Sequence, residues 1–270
     1  MTAADDPLVP DGARPGAFTV RVGGASQSYV DPGDPLHLEF EYMQRIADLL
    51  DAWAAPLERL RVIHVGGAGM TLARYVAATR PTSPQIVLEP DADLTERVRA
   101  ELPLPRGSGV KVRAIDGRAG VAAMRAEFAD VIINDAFVAG RVPADLTTRE
   151  YLADARRVLR AAGVLLINVT DRGPFSYARR VAAGAAELFP RVAITAEPPI
   201  LKGRRFGNLV IIASGAELPV RVLQRKGASA MFPYRVVHGA DAERWINRAK
   251  PFTDADPGTS PDLVRELGLR

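Results

Sequence analysis

The sequence contains no cysteine, so disulfides, thiolate nucleophiles and sulfur-ligated metal sites are all excluded. Histidine is scarce as well. His37, His64 and His238 are far apart and form no i, i+4 pair, which argues against a histidine-based metal site. No apolar run reaches the roughly 18 residues that a membrane-spanning helix requires. Any chemistry must therefore come from oxygen and nitrogen groups, and we expect no metal.

Strong charge of one sign is also lacking, because the net charge is only +3 over 270 residues. The richest basic segment, 202–205, reads Lys-Gly-Arg-Arg and is too short to follow a nucleic-acid duplex. The first ten residues carry Asp5 and Asp6, where a signal peptide would be basic and then apolar. These features predict a cytoplasmic protein that binds neither nucleic acid nor membrane.

The patterning divides the chain into four segments. Residues 1–17 are rich in turn-forming and small residues and are predicted to be a flexible tail. Segment 18–58 combines an alternating hairpin pattern, turning at Gly23-Gly24, with apolar residues at helical spacing over 36–53. Segment 59–214 is predicted to be a nucleotide-binding domain. The weaker signals of 215–270 indicate a C-terminal extension and not a second domain.

Strand and helix patterns alternate through the main segment. Short β-branched runs predict strands at 61–65, 85–89, 110–115, 130–134, 164–169, 191–195 and 208–213. Helices are predicted over 91–102, 119–127, 148–161 and 175–189, with a further helix after the first strand. Repeated units of this length require a parallel sheet with helices on both faces, so the predicted class is a Rossmann-like α/β fold.

A glycine-rich turn, Gly66-Gly67-Ala68-Gly69, directly follows the first of these strands. Small residues there let the backbone approach a ligand closely and present amide donors to it, although the same pattern can serve tight strand-to-helix packing. Glu89 ends the second strand, about 20 residues further on, where an acid accepts hydrogen bonds from ribose hydroxyls in doubly wound folds. We predict Gly66, Gly67, Gly69 and Glu89 as nucleotide-binding residues.

Two more acids follow the next strands. Asp116-Gly117 comes after the third strand and Asp135 after the fourth. Ligands of open α/β sheets bind at the carboxyl ends of the strands, so both acids are expected to face the same ligand. Each could instead be a helix N-cap or an ordinary loop residue.

Taken together, these residues resemble the spermidine synthase family over approximately residues 18–214. The resemblance is carried by the following segments: Gln27-Ser28-Tyr29-Val30, Glu41-Tyr42-Met43, the glycine turn, Glu89, Asp116-Gly117, Asp135, 146–151 and Arg205-Phe206-Gly207-Asn208. It implies a Rossmann-like class I S-adenosylmethionine-dependent methyltransferase fold with a small N-terminal β-hairpin appendage. It also implies transfer of an aminopropyl group from decarboxylated S-adenosylmethionine to an amine, without a metal.

The resemblance also implies roles for particular residues. Gln27 and Tyr42 would approach the active site, Glu89 would hold the ribose, and Asp116 the adenine. Asp135 would face the reacting amine. The hairpin edge, which the family usually buries between subunits, further implies a homodimer.

Two positions depart from the family pattern. The glycine turn has Ala68-Gly69-Met70 where the family normally has an aspartate that pairs with the aminopropyl amine, so intact S-adenosylmethionine should be excluded less strongly. The segment 134–140 supplies only Asp135, whereas the family has a second aspartate there. Because a dication normally requires more than one acid, affinity for a polyamine is placed in doubt.

The sequence therefore leaves three functions open. In an aminopropyltransferase, Asp135 would be the base, with Tyr42 or Tyr151 orienting the amine or other small acceptor. An S-adenosylmethionine-dependent methyltransferase would use the same Glu89 and Asp116. A nucleotide-binding protein without turnover would fit the two missing acids. A dehydrogenase is disfavoured by Asp116-Gly117 and by the hairpin.

Overall fold

The structure, a computed structural model, describes residues 6–23, 25–266 and 268. The strands are β1 (Leu8–Pro10), β2 (Phe18–Val22), β3 (Ala25–Val30), β4 (Val62–Val65), β5 (Gln85–Leu88), β6 (Val110–Arg113), β7 (Ala129–Asn134), β8 (Leu159–Asp171), β9 (Arg191–Ala196), β10 (Gly207–Ser214) and β11 (Arg235–His238). The helices are α1 (Glu41–Trp53), α2 (Thr71–Thr79), α3 (Ala92–Glu101), α4 (Gly117–Ala122), α5 (Arg149–Val158), α6 (Ser176–Leu188), α7 (Pro198–Leu201), α8 (Val220–Ser229), α9 (Ala240–Ile246) and α10 (Leu263–Glu266), with a 3-10 turn at Ala144–Leu146. No helix in this described part of the chain is long and apolar enough to cross a membrane.

The main sheet has eight strands in the order β11-β9-β10-β8-β7-β4-β5-β6. Strands β4 to β8 pair in parallel, whereas β10, β9 and β11 continue the sheet in antiparallel fashion. All four residues of β4 are buried, as expected for a central strand that is covered on both faces. The predicted α/β class is confirmed, with the refinement that the sheet is mixed.

Successive residues of the strands enter two hydrophobic cores on opposite faces of the sheet. Ile63 and Val65 of β4 pack into the core that also contains α5 and α6. Val62, on the same strand, packs with residues of α1, α2 and α8 in the other core. This alternation follows from the two-residue period of a strand, and it holds α1 directly against the sheet.

The N-terminal appendage is a three-stranded antiparallel sheet in the order β1-β2-β3. The predicted hairpin is confirmed, although Gly24 of its turn lies outside the described residues. The flexible tail predicted for 1–17 is wrong over Leu8–Pro10, because this segment pairs with Phe18–Val22 and buries Leu8. Residues 1–5 of that tail also lie outside the described residues.

Other differences concern the ends of helices. The helix predicted over 36–53 begins only at Glu41, after a stretch of turns. The helix predicted over 148–161 ends at Val158, because Leu159 pairs with Ala129 as the start of β8. The helix predicted over 119–127 ends at Ala122, where the chain turns back towards the sheet. At Leu159, tertiary pairing with the neighbouring strand overrides local helix preference.

The C-terminal segment is part of the main domain and adds a strand to its sheet. Its strand β11 pairs with β9 at the sheet edge, and α8 packs beside α1. The last part contacts α4 and the segment after β7. Arg118 forms an ion pair with Asp254 at 2.7 Å, and the Val142 amide donates to the Ser260 hydroxyl at 2.8 Å. The predicted extension therefore completes the core rather than standing apart from it.

Candidate active site

A cavity of about 980 Å³ lies at the carboxyl ends of β4, β5 and β7. The hairpin strand β3, the start of α1 and the start of β10 supply its other walls. The predicted site residues that line it are Gln27, Tyr42, Gly66, Gly67, Glu89, Asp116, Gly117 and Asp135. Gly69 is absent from this lining. The fold thus brings together nearly all of the residues that the sequence analysis selected.

The glycine turn is shaped by close backbone approach. Gly66 has a φ of +89°, and a Cβ there would lie 2.9 Å from the Cα of Ala136 and closer still to the Asp135 carbonyl oxygen. A Cβ on Gly67 would lie 2.6 Å from Val87. Both positions therefore require glycine. Gly66 needs it for its positive φ and for space, and Gly67 needs it for space.

Gly69, which was also predicted to bind the nucleotide, packs against the hairpin. A Cβ on Gly69 would lie 2.8 Å from the Ser28 hydroxyl oxygen and closer to Val30, so this residue packs against β3. The Ser28 hydroxyl also bonds that of Thr71 at 2.7 Å. These contacts hold the hairpin over the turn and bring the half-buried Gln27 to the cavity.

Glu89 organises the turn itself. Its Oε2 accepts hydrogen bonds from the amides of Gly67 at 2.8 Å and Ala68 at 3.2 Å, and its Oε1 accepts from the Asp91 amide at 3.1 Å. A carboxylate has about four acceptor positions, so one remains for a ligand hydroxyl. Glu89 thereby fixes the distance between the two loops that would enclose a ribose.

Asp116 is the N-cap of α4 and also lines the cavity. Its Oδ1 accepts from the Ala119 amide at 3.0 Å, while Oδ2 has no hydrogen-bond donor among the described residues. The helix-cap interpretation and the ligand interpretation are thus compatible at this residue. Gly117 follows it, buried against Val65.

Asp135 lies at the end of β7 between two hydrogen-bond donors. The Tyr42 hydroxyl donates to Oδ2 at 3.0 Å, and the Asn168 amide donates to Oδ1 at 2.9 Å. Burial raises the pKa of Asp135, and the two hydrogen bonds oppose that rise only in part. Burial, followed by the charge of Asp135, raises the pKa of Tyr42 well above its ordinary value, so the phenol stays protonated. Asp135 is consequently the group in this cavity best suited to accept a proton.

Asn168 is a site residue that the sequence analysis did not select. It is 1% exposed, lines the cavity and holds Asp135 in place. A signal was present, since Asn168 is the single polar residue in the apolar run 164–169 of a central strand. Tyr151, which was considered as an orienting group, is a buried residue of α5 that packs into the core and does not line the cavity.

His64 is a buried neutral residue behind the glycine turn. Desolvation lowers its pKa to about 4, and its Nε2 lies 2.8 Å from the Gln85 amide oxygen. It therefore carries no charge near neutral pH. No group of three or more histidine, aspartate or glutamate side chains in the described ranges is placed to hold a metal ion.

The fold and this site together define a class of protein. A mixed sheet with β4 at the centre of its five parallel strands, a glycine turn after β4 and acids at the ends of β5 and β7 characterise the Rossmann-like class I methyltransferase fold. Human methyltransferase-like protein 13 in complex with SAH shares this architecture with a TM-score of 0.54 at 19% identity, covering 79% of this chain and 94% of that one.

Comparison with solved structures narrows the class to a family. A probable spermidine synthase from Corynebacterium glutamicum ATCC 13032 is 30% identical and superposes with a TM-score of 0.86, covering 92% of each chain. The chain belongs to the spermidine synthase family. A spermidine synthase in complex with the transition state analogue AdoDATO shares the fold with a TM-score of 0.55 at 16% identity, covering 97% of this chain and 83% of that one.

A curated relative agrees with this assignment. The polyamine aminopropyltransferase of Vibrio vulnificus (strain CMCP6) is 28% identical over 157 residues, which are 56% of this chain. The match spans only about half of that enzyme, 51% of its length. No family model matches the sequence.

Proposed function

We propose that the protein transfers an aminopropyl group from decarboxylated S-adenosylmethionine to a small amine. The observation that carries this proposal is the placement of Asp135, with its raised pKa, between Tyr42 and Asn168 in a cavity that also contains the glycine turn. Family membership and the name of the curated relative support the same activity.

The reaction requires an uncharged amine in line with the carbon attached to the sulfonium. The nitrogen lone pair forms the new C–N bond, and the C–S electron pair returns to sulfur, releasing neutral methylthioadenosine. Asp135 accepts the proton that the amine loses, and the Tyr42 hydroxyl orients the carboxylate. Glu89 and Asp116 hold the ribose and the adenine, so that positioning and a local negative field supply most of the rate.

The second candidate is a methyltransferase that uses intact S-adenosylmethionine. It is favoured by the segment Ala68-Gly69-Met70, because a glycine turn without an acid does not repel a ligand carboxylate. A nucleotide-binding protein without turnover stays a third possibility until transfer is measured.

Calorimetric titration separates these functions. The purified protein is titrated with decarboxylated S-adenosylmethionine, intact S-adenosylmethionine and methylthioadenosine in one buffer. Tighter binding of the decarboxylated form, together with amine-dependent release of methylthioadenosine, supports aminopropyl transfer. Tighter binding of the intact form favours the methyltransferase. Absence of binding by all three contradicts the nucleoside site.

The Glu89→Gln variant tests whether Glu89 binds the nucleoside. Loss of a charged acceptor is expected to weaken methylthioadenosine binding by about 1 to 3 kcal/mol, measured by calorimetry. Glu96→Gln, an exposed change on α3, is the matched control and should bind as the wild type does. Equal affinities of the two variants for methylthioadenosine would show that Glu89 does not bind the nucleoside.

We further propose that the protein is a homodimer through its N-terminal sheet. The sheet β1-β2-β3 ends in edge strands, and exposed edges are commonly paired or covered. Size-exclusion chromatography with light scattering is expected to give twice the chain mass. A strict monomer at micromolar concentration would exclude this arrangement.

A further inference from the structure

The acids that line the cavity are not equivalent. Four of the five accept hydrogen bonds that fix the protein itself: Glu89, Asp91, Asp116 and Asp135. Glu41 is the fifth, and it receives only one long hydrogen bond, from the Asn208 amide at 3.3 Å. Within the described part of the chain, no basic side chain forms an ion pair with it. Its carboxylate therefore keeps most of its acceptor capacity for a ligand.

Glu41 lies at the same end of the cavity as Asp135. It precedes Tyr42, the residue that bonds Asp135, in the first turn of α1. Its partner Asn208 begins β10, which runs beside the strand that carries Asn168. Burial is the main cause of the raised pKa of Tyr42, and the charge of Glu41 adds to it. The charges of both Glu41 and Asp135 thus act on the Tyr42 phenol.

Neither neighbouring arginine donates a hydrogen bond to Glu41. The Arg45 guanidinium is buried and donates to the Asn208 carbonyl oxygen at 3.0 Å. Arg205 is bound to Glu197 at 2.6 Å, so the two form a neutral pair. Neither arginine occupies an acceptor position of Glu41, so the carboxylate can still accept from a ligand, although the charge of Arg45 offsets part of its attraction for a cation.

A second observation also points to a ligand with N–H donors. Asn168 lines the cavity at this end, and its Oδ1 is buried without a donor. An unsatisfied buried acceptor is costly, and a bound amine would satisfy it. The cavity lining also includes the apolar side chains of Phe40, Phe137 and Phe206. Such walls suit an alkyl chain that carries a nitrogen at each end.

We propose that Glu41 binds the second, non-reacting ammonium group of a diamine acceptor while Asp135 faces the reacting amine. This inference rests on the proposed function. It assigns the second anion to the first turn of α1, in a chain whose segment 136–140 contains no acid. Glu41 is then the residue that separates diamines from monoamines of equal length.

The test measures binding before turnover. The protein is saturated with methylthioadenosine and titrated with 1,4-diaminobutane and with n-butylamine, and transfer from decarboxylated S-adenosylmethionine is measured with the same two amines. The wild type is expected to bind the diamine at least about tenfold more tightly, as for one added charge-assisted contact. In Glu41→Gln this preference should fall to about threefold or less. Glu39→Gln, an exposed change outside the cavity, should keep it.

The outcomes distinguish the role of Glu41 from the proposed transfer activity. Diamine binding that depends on Glu41 but leads to no transfer supports the ammonium-binding role of Glu41 and contradicts aminopropyl transfer. Transfer with an unchanged diamine preference in Glu41→Gln supports the enzyme and overturns the role of Glu41. A wild type that binds both amines equally also overturns it. Melting temperatures of both variants establish that each is folded.

Discussion

Asp135→Asn is expected to lower amine transfer by at least about 100-fold, because it removes the group that accepts the proton. Methylthioadenosine affinity should change little, since the glycine turn, Glu89 and Asp116 are untouched. The measurements are steady-state transfer rates and calorimetric titration of the nucleoside. Asp93→Asn, an exposed change on α3, is the matched control and should retain wild-type rates.

The same variant should be at least as stable as the wild type near neutral pH. Burial raises the pKa of Asp135 in the folded protein above its unfolded value, so folding favours the protonated form. This contribution to stability is fully present below the unfolded pKa and is lost as the pH rises through the folded pKa. Asparagine avoids that loss, and the Tyr42 hydroxyl can accept from its amide. The stability advantage of Asp135→Asn should therefore fade towards about pH 4.

Urea unfolding at several pH values measures this difference in stability between the variant and the wild type.

The transfer rate of the wild type should also fall on acidification, with a midpoint above the ordinary aspartate range, as Asp135 becomes protonated. A variant that keeps more than about a tenth of the wild-type rate would show that another group takes the proton. A variant less stable at pH 8 than at pH 5, relative to wild type, would contradict the raised pKa.

Gly66→Ala is expected to destabilise the protein by at least about 3 kcal/mol and to abolish nucleoside binding. The new methyl group would need a φ of +89° and would collide with the backbone at Asp135 and Ala136. Relief of that collision must move either the turn or the carboxyl end of β7, and both contribute to the cavity. Chemical unfolding and calorimetry measure the two effects.

Gly16→Ala is a closely matched control for this change. Gly16 has a φ of +88°, but a Cβ there would meet nothing within 4 Å. It should therefore show only the conformational cost of a positive φ, about 1 kcal/mol, and leave binding unchanged. If the two variants were equally destabilised, steric collision at Gly66 would be excluded as the cause of the loss.

Much of the central fold was predictable because its signals are local. Buried parallel strands produce short β-branched runs, and the position of β4 before the glycine turn follows directly from the chain. Glu89, Asp116 and Asp135 were predictable for the same reason, since a residue that follows a parallel strand lies at one known edge of the sheet.

What escaped prediction depends on contacts between distant segments. Strand β1 exists because Leu8–Pro10 pairs with β2, and its short sequence carries little strand pattern of its own. The position of Glu41 beside Asn208 follows from the packing of α1 against β10, which no spacing in the sequence specifies. The packing of Gly69 against β3 was not predicted, because a glycine needed for packing and one needed for a ligand look identical in sequence.

The two ends of the cavity come from different stretches of the chain. The end proposed to bind the nucleoside is built from the loops after β4, β5 and β6, whereas Gln27, Glu41 and Tyr42 belong to the appendage and α1. Under the proposed function, acceptor choice could diverge in evolution by substitution within one short segment while the loops proposed for the nucleoside are left intact. A protein engineer would accordingly exchange residues 25–53 between relatives to alter the acceptor, and would leave the sheet alone.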